Sequence, residues 1–151
     1  MREILFKAKR LDNGEWVEGD LFHNDNSSYP MTLIGSLVLS RNKYTNEIEL
    51  HGYGLYEVDP ETVCQYTGLK DKNGKKIFEG DIIRLWRSVG AKGDLRGKYH
   101  KPMVVKYNDL WCQFTVEDKE IKEQYGIWQA FQAFEVIGTI FDNPELLEVE
   151  E

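Results

Sequence analysis

Apolar and polar residues alternate along the start of the chain, as they do in a β-strand with one buried face. Ile4, Phe6 and Ala8 fall on one side of residues 2–9, and charged residues fall largely on the other. Asp12-Asn13-Gly14 follows, and Asn and Gly tolerate the positive φ angles of tight turns. Residues 15–23 then predict the returning strand. We therefore expect a β-hairpin over residues 2–23.

The pattern continues with strands and turns along most of the chain. The apolar run at 31–39 predicts a buried strand, and residues 44–50 alternate as a further strand. Pro60 indicates a break near 58–64, because proline interrupts a β-ladder. In the second half we predict strands at 77–86, 103–107, 111–116 and 134–141, a second Asn-Gly turn at 73–74, and short helices at 116–126 and from Asn143-Pro144 onward.

A short sequence repeat suggests two similar β units. Glu18-Gly19-Asp20 and Glu79-Gly80-Asp81 each follow an Asn-Gly turn and are flanked by apolar pairs. The repeat predicts that Gly19 and Gly80 occupy equivalent corners that require glycine. With the break near 58–64, it divides the chain into an N-terminal β subdomain at 1–62 and a C-terminal one at 63–151.

Composition supports a mainly β fold. The 151 residues include 13% aromatic residues, enough to build a core, but only four alanines, which disfavours a helical bundle. The expected core is Phe6, Trp16, Leu21, Ile34, Leu37, Tyr66, Ile77, Ile82, Val104, Phe114, Ile137 and Ile140. No apolar run is long enough to span a bilayer, and the N-terminus lacks the apolar stretch of a secretory signal. We therefore expect a cytoplasmic protein that contacts no membrane, with Cys64 and Cys112 as buried, reduced thiols.

Three blocks of sequence resemble one protein family. They are residues 6–19 (FKAKRLDNGEWVEG), 65–82 (QYTGLKDKNGKKIFEGDI) and 136–147 (VIGTIFDNPELL). Together they are similar to the YopX family of phage and prophage proteins, in the family's order from start to end. The resemblance implies an accessory protein of a phage or prophage in a bacterial host cell, with a C-terminal part shaped like an SH3-type barrel. It implies no reaction and no catalytic residues.

The residues themselves show no catalytic or metal-binding pattern. The three histidines, His23, His51 and His100, belong to no HxH, HExxH or His-Cys pair. The Glu-Gly-Asp triplets are explained better by turns, in which aspartate accepts backbone N–H bonds, than by paired catalytic carboxylates. We therefore expect a protein that is not an enzyme and that holds no metal or cofactor.

One segment stands out by its charge. Residues 84–106 carry seven Lys/Arg and one acid, hence +6, which leaves −13 for the rest of a chain whose net charge is −7. Cations for phosphates beside rings for base stacking are typical of proteins that bind single strands. The candidate binding residues are Arg84, Trp86, Arg87, Arg96, Lys98, Tyr99, His100 and Lys101. An acidic protein partner and a solvated surface loop without a role are the alternatives.

Two functions remain open on the sequence. The first is a non-enzymatic interaction module that binds an unknown protein partner or a second copy of itself. The alternative is a nucleic-acid-associated accessory protein that binds through the basic segment 84–106.

Overall fold

The computed structural model describes residues 3–25, 28–85, 102–117, 124–126 and 134–148. Within these ranges the protein is mainly β, as the sequence predicts, and the paired strands run antiparallel. The chain divides into two compact units. The N-terminal unit comprises the described residues of 3–65, and the C-terminal unit comprises the described residues from Tyr66 onward.

Eleven strands and two short 3₁₀ helices make up the described structure. The strands are β1 (Phe6–Lys9), β2 (Trp16–Asn24), β3 (Met31–Arg41), β4 (Ile48–Glu57), β5 (Cys64–Lys70), β6 (Lys76–Phe78), β7 (Asp81–Leu85), β8 (Met103–Asn108), β9 (Gln113–Glu117), β10 (Gln124–Gly126) and β11 (Phe134–Thr139). The 3₁₀ helices are Pro60–Thr62 and Pro144–Leu147. Each of the two begins at a proline, whose fixed φ suits a first helical position.

The N-terminal unit is a sheet with the strand order β4-β3-β2-β1, and the first two residues of β5 pair with β1. The predicted hairpin of β1 and β2 is confirmed, and Gly14 in its turn has a φ of +74°. Ala8, Ile34 and Val58 form the buried core, with four partly buried side chains packed against them. The sheet therefore buries one of its faces in the region where β1, β2, β3 and β4 are paired side by side.

The C-terminal unit contains a five-stranded sheet with the order β10-β9-β8-β7-β11. The last strand thus returns to lie beside the first, while β6 pairs with the remainder of β5. The core is built from side chains of β6, β7, β8, β9 and β11: Ile77, Ile83, Met103, Val105, Phe114, Val116, Phe134 and Val136. Strands β7 and β8, which contain the two ends of the basic segment 84–106, pair antiparallel, with Ile82 opposite Val104.

Two aspartates of this unit have structural roles. The Asp71 carboxylate accepts hydrogen bonds from the backbone N–H groups of Asn73 (2.8 Å) and Lys75 (2.9 Å) in the β5–β6 turn, and from that of Val136 in β11 (3.1 Å). Asp81, almost wholly buried, accepts one from the N–H of Phe78 (2.8 Å). These carboxylates hold turns in place, as backbone acceptors do.

The two copies of the Glu-Gly-Asp sequence repeat differ in backbone conformation. Gly80 has a φ of +75° at the corner between β6 and β7, whereas Gly19 lies inside β2 and outside the left-handed region. Gly19 is required for a different reason: a Cβ there would lie 2.4 Å from the carbonyl oxygen of Gly35 on the neighbouring strand. The prediction of equivalent corners is therefore wrong.

The helix predicted over 116–126 is also wrong where the structure describes it. Glu117 at the end of β9 lies opposite Gln124 at the start of β10, so the two ends of the segment pair as antiparallel strands. Residues 118–123 between them lie outside the described ranges. Val116 is fully buried in the core, and this packing overrides a local pattern that also suits a helix.

Burial follows the predicted core with clear exceptions. Buried are Ile34, Tyr66, Ile77, Ile82, Val104 and Phe114, and partly buried are Phe6, Trp16, Leu21 and Ile137. Leu37 and Ile140 are exposed, contrary to prediction. Of the two thiols, Cys64 is buried but Cys112 is exposed at a φ of +49°, in the turn that precedes β9.

Candidate functional site

Strands β3 and β4 extend beyond the rest of the N-terminal sheet as a two-stranded ribbon. Strand β2 pairs with β3 only from Met31 to Gly35, whereas β4 pairs with β3 as far as Arg41. Residues 36–54 therefore have only each other as strand partners among the described residues, and we call this segment the arm. A two-stranded ribbon has little core of its own, so its exposed side chains are available to other molecules.

Glycines mark the root of the arm. A Cβ at Gly35 would lie 1.8 Å from the carbonyl oxygen of Gly54, so the two backbones approach too closely for any side chain at that position. Farther along, the pairing shifts between Val38 and Leu39, where His51 is the extra residue on β4. A shift of this kind bends and twists a ribbon locally.

The turn at the tip of the arm is ordered by one side chain. The Asn42 amide oxygen accepts hydrogen bonds from the backbone N–H of Tyr44 (2.9 Å) and of Thr45 (3.2 Å). Asn46 adopts a φ of +60°, a conformation that asparagine tolerates better than most residues. The guanidinium of Arg41 donates to the Asn46 carbonyl oxygen at 2.8 Å and stays exposed. The tip is thus a defined turn that fixes the register of the two strands.

The arm has one apolar face and one small or polar face. Directly opposite residues share a face, and Leu37 lies opposite Tyr53, Leu39 opposite Leu50, and Arg41 opposite Ile48. The other face carries Ser36, Val38 and Ser40, with glycines and Glu49 as their partners. The apolar face therefore presents a continuous stripe of large side chains, Leu37, Leu39, Ile48, Leu50 and Tyr53, which we call the apolar stripe.

Nothing within the described structure covers the apolar stripe. Leu39 is 54% exposed, Leu50 57% and Tyr53 70%. Single exposed apolar residues are ordinary, but a contiguous set on one face of an amphipathic sheet marks an interaction surface. Covering it removes about 25 cal/mol of unfavourable hydration free energy for each Å² of apolar surface. The chemistry of the apolar stripe is complementary to that of another apolar surface.

The charges near the apolar stripe lie at its two ends. Arg41 stands on the same face at the tip, and Glu57, opposite Leu33, stands on that face at the root. Glu49 belongs to the other face, where its carboxylate lies 3.7 Å from the ring of His51. The His51 ring is also 2.5 Å from the Ser40 hydroxyl. The apolar face is therefore basic at one end and acidic at the other.

A shallow pocket of about 360 Å³ lies in the same unit, lined by Arg10, Leu11, Asp12, Leu55, Tyr56 and Glu57. The Arg10 guanidinium stacks 4.1 Å from the centre of the Tyr56 ring and donates two hydrogen bonds to Asp12. The hydrogen bond from Arg10 lowers the pKa of the Asp12 carboxyl, and that from Asp12 raises the pKa of Arg10. The cation of this pocket is thus already engaged by a ring and by a carboxylate.

The basic segment contributes little to the described structure. Of its candidate binding residues, Arg84 is exposed on β7, opposite Glu135 of β11. The other seven, Trp86, Arg87, Arg96, Lys98, Tyr99, His100 and Lys101, lie outside the described residues. At the far end of the segment, Lys106 forms an ion pair with Glu117. Only Arg84 among the eight candidates therefore has a described position.

The described residues contain neither a metal-binding cluster nor a membrane-spanning helix. They contain no group of three or more His, Cys, Asp or Glu side chains that could hold a metal ion. Nor does the described part of the chain include a helix with the length and apolar character needed to cross a membrane.

The arm is not predicted as a functional surface from the sequence, because the apolar run 31–39 predicts a buried strand. A signal was present: from Ser36 to Ser40 the order is Ser-Leu-Val-Leu-Ser, which places both leucines on one face and both serines on the other. That order fits a strand with one apolar face better than a strand buried on both sides.

Two comparisons with known proteins match nearly the whole chain. The family model described as YopX protein matches residues 5–148. The crystal structure of protein EF1440 from Enterococcus faecalis is similar, with 26% identity and a TM-score of 0.59 over 98% of this chain and 100% of that one. No curated protein matches.

Proposed function

Because this chain belongs to the YopX family, for which the resemblance implies no reaction, we propose that it is a non-enzymatic interaction module that binds a protein through the apolar stripe of its arm. The observation that carries the proposal is the exposure of Leu39, Leu50 and Tyr53 side by side on one face. Their partner has to offer an apolar surface long enough to follow a strand. The family resemblance further supports an accessory role for a phage or prophage, exercised in the cytoplasm of the bacterial host.

We also propose that the C-terminal unit is an SH3-type barrel. The strand order β10-β9-β8-β7-β11 is a meander of four strands whose fifth returns beside the first. This order supports an SH3-type barrel for the C-terminal unit, because such a barrel bends five antiparallel strands in this succession. Closure requires the two outer strands of the sheet, β10 and β11, to approach each other.

The test compares two faces of the same arm. The variant Leu39→Glu with Leu50→Glu places charges in the apolar stripe, and Val38→Glu, at a side chain that is 58% exposed on the other face, is the matched control. Each form is immobilised and used to capture proteins from phage-carrying host cells and a tagged second copy of the chain. Circular dichroism and thermal unfolding confirm that all forms fold.

We expect wild type and Val38→Glu to retain the same partner and the double variant to lose it, because a charge buried against an apolar surface costs several kcal/mol. The proposal is wrong if every protein retained by wild type is retained equally by the double variant.

The alternative, binding of nucleic acid through 84–106, is supported by the +6 charge of that segment and by the exposed side chain of Arg84. Phosphate contacts release counterions, so binding through this segment falls steeply as salt rises from about 50 to about 200 mM. Filter binding at these two salt concentrations measures it. Charge reversal at Arg96, Lys98 and Lys101 abolishes the signal if the alternative holds, and leaves it unchanged if it does not.

A further inference from the structure

We infer that the partner of the apolar stripe is a second copy of this chain, stacked arm against arm about a two-fold axis with the strands antiparallel. The inference rests on the proposed function and names the occupant of the surface. Its basis is the order of residues on the apolar face of β3 and β4. When a second copy is turned end to end, its basic end meets the acidic end of the first copy.

That order has a centre and two oppositely charged ends. From tip to root the opposite pairs on this face are Arg41–Ile48, Leu39–Leu50, Leu37–Tyr53, Gly35–Leu55 and Leu33–Glu57. The middle pair lies four residues of β3 from either end, or about 13 Å at about 3.3 Å per residue. A positive charge and a negative charge are thus placed symmetrically about an apolar centre.

A two-fold axis through the Leu37–Tyr53 pair matches these groups. It brings the two Leu37–Tyr53 pairs together and lays Leu39 and Leu50 of each copy on the Gly35–Leu55 pair of the other. At the ends, the Arg41–Ile48 pair of each copy lies over the Leu33–Glu57 pair of its mate, which places Arg41 near Glu57. An interface of this kind is isologous, because the same patch serves both copies and the assembly closes as a dimer. A parallel arrangement would instead place like charges together at both ends, which is unfavourable.

The structure favours face packing over pairing of strand edges. Strand β4 is the outer strand of its sheet, but the shift at His51 interrupts the ladder in its middle. Such irregularities protect exposed edges from adding another strand. The face has no comparable interruption of its apolar side chains, so two arms pack as sheets do, about 10 Å apart.

The size of the face sets the expected affinity. Nine residues of β3 at about 3.3 Å each, and two strands at about 4.8 Å spacing, give a face about 30 Å long and about 10 Å wide. This footprint is smaller than the roughly 800 Å² per partner of a standard stable complex. We therefore expect a concentration-dependent dimer in the micromolar range rather than a permanent one.

Sedimentation velocity of the full chain from about 5 to about 500 µM is the first experiment. We expect wild type and Val38→Glu to shift from monomer to dimer over this range, and Leu39→Glu with Leu50→Glu to remain monomeric. If wild type stays monomeric throughout, the second-copy inference is wrong. The proposed function survives that result if capture of another protein still depends on the apolar stripe, so the two failures are distinguishable.

The second experiment exchanges the charges. Arg41→Glu leaves two acids facing each other at both ends of the dimer, and Glu57→Arg leaves two bases, so each single variant is expected to raise the dimer Kd about tenfold. An equimolar mixture of the two variants restores opposite charges at both ends and is expected to associate as wild type does. Recovery in the mixture also shows that both variants are folded.

The mixture gives a clear refutation. If the mixed variants associate no better than each variant alone, the antiparallel stacking of two arms is wrong. If both single variants dimerise as wild type does, the charges do not face each other, and the same conclusion holds. A dimer that forms equally well in Leu39→Glu with Leu50→Glu would place the interface elsewhere on the molecule and would also overturn the inference.

Discussion

Removal of the Asp71 carboxylate is expected to destabilise the C-terminal unit strongly. Its two oxygens accept three backbone hydrogen bonds, two within the β5–β6 turn and one from Val136 in β11. A hydrogen bond to a charged group contributes about 1.5–3 kcal/mol, and a buried donor left without a partner costs about 1–3 kcal/mol. The side chain therefore links a local turn to a strand 65 residues away in the sequence.

The three bonds differ in how well water can replace them. Asn73 and Lys75 lie in an exposed turn, so their N–H groups can be hydrated, whereas Val136 is buried and its N–H cannot. Asp71→Ala is therefore expected to lower the free energy of unfolding by about 3–5 kcal/mol. Asp71→Asn keeps one acceptor oxygen for the turn but sets an amide NH₂ against the N–H of Val136, and we expect a loss of about 2–3 kcal/mol.

Urea unfolding followed by tryptophan fluorescence measures both values, and the exposed Asp109→Asn is the matched control, expected within about 0.5 kcal/mol of wild type. A loss below about 1 kcal/mol for Asp71→Ala would refute the reasoning, because a buried N–H would then have lost its acceptor at no cost. Equal losses for the alanine and asparagine variants would refute the assignment of the two oxygens to different donors.

Three further predictions follow from other parts of the fold. Ile82→Ala is expected to lower the free energy of unfolding by about 2–5 kcal/mol in urea, since Ile82 is fully buried; a loss below 1 kcal/mol would contradict its place in the core. Gly35→Ala should lower the melting temperature, because the new Cβ would lie 1.8 Å from the carbonyl oxygen of Gly54; an unchanged melting temperature would show that the backbones separate freely. The Asp12 carboxyl, whose pKa is lowered by its hydrogen bond from Arg10, should titrate by NMR below an ordinary aspartate, and Arg10→Met should remove the difference. Because the folded pKa is the lower one, this contribution to stability is present above the unfolded pKa of about 3.9 and is lost as the pH falls through the folded pKa.

Features fixed by local chemistry could be predicted from the sequence. The Asn-Gly turns are such a case: Gly14 and Gly74 adopt φ angles of +74° and +82°, which few other residues tolerate. The hairpin of β1 and β2 follows from alternation on either side of such a turn. These predictions needed no information about the rest of the chain.

Features that depend on distant parts of the chain could not be predicted from the sequence. The segment 116–126 suits a helix locally, but Val116 is buried in a sheet, and the strand pairing of Glu117 with Gln124 decided the outcome. In the same way, the apolar run of β3 predicts a strand correctly but not what covers it. Leu37 is exposed because the pairing of β2 with β3 ends at Gly35. The sequence of β3 alone does not indicate where this pairing ends.

The same distinction between local and distant information applies to the candidate binding surfaces. The charge of the basic segment is evident in the sequence, but only Arg84 of its eight candidates lies in the described structure. The apolar stripe is a property of two strands in register, Leu39 with Leu50 and Leu37 with Tyr53, and it exists only once that pairing is known.

The arm is also a part whose length can change independently of the rest of the protein. Among the described residues, its two strands meet the remaining sheet only at the root, where Gly35 and Gly54 approach each other. Deleting two residues from each strand would shorten its reach by about 7 Å and keep every side chain on its present face, because the strand period is two. Deleting one residue from each would turn the apolar stripe to the opposite side. We therefore expect the protein to tolerate changes of length in this arm in steps of two residues per strand, because these steps leave the facing of the apolar stripe and the core of each unit unchanged.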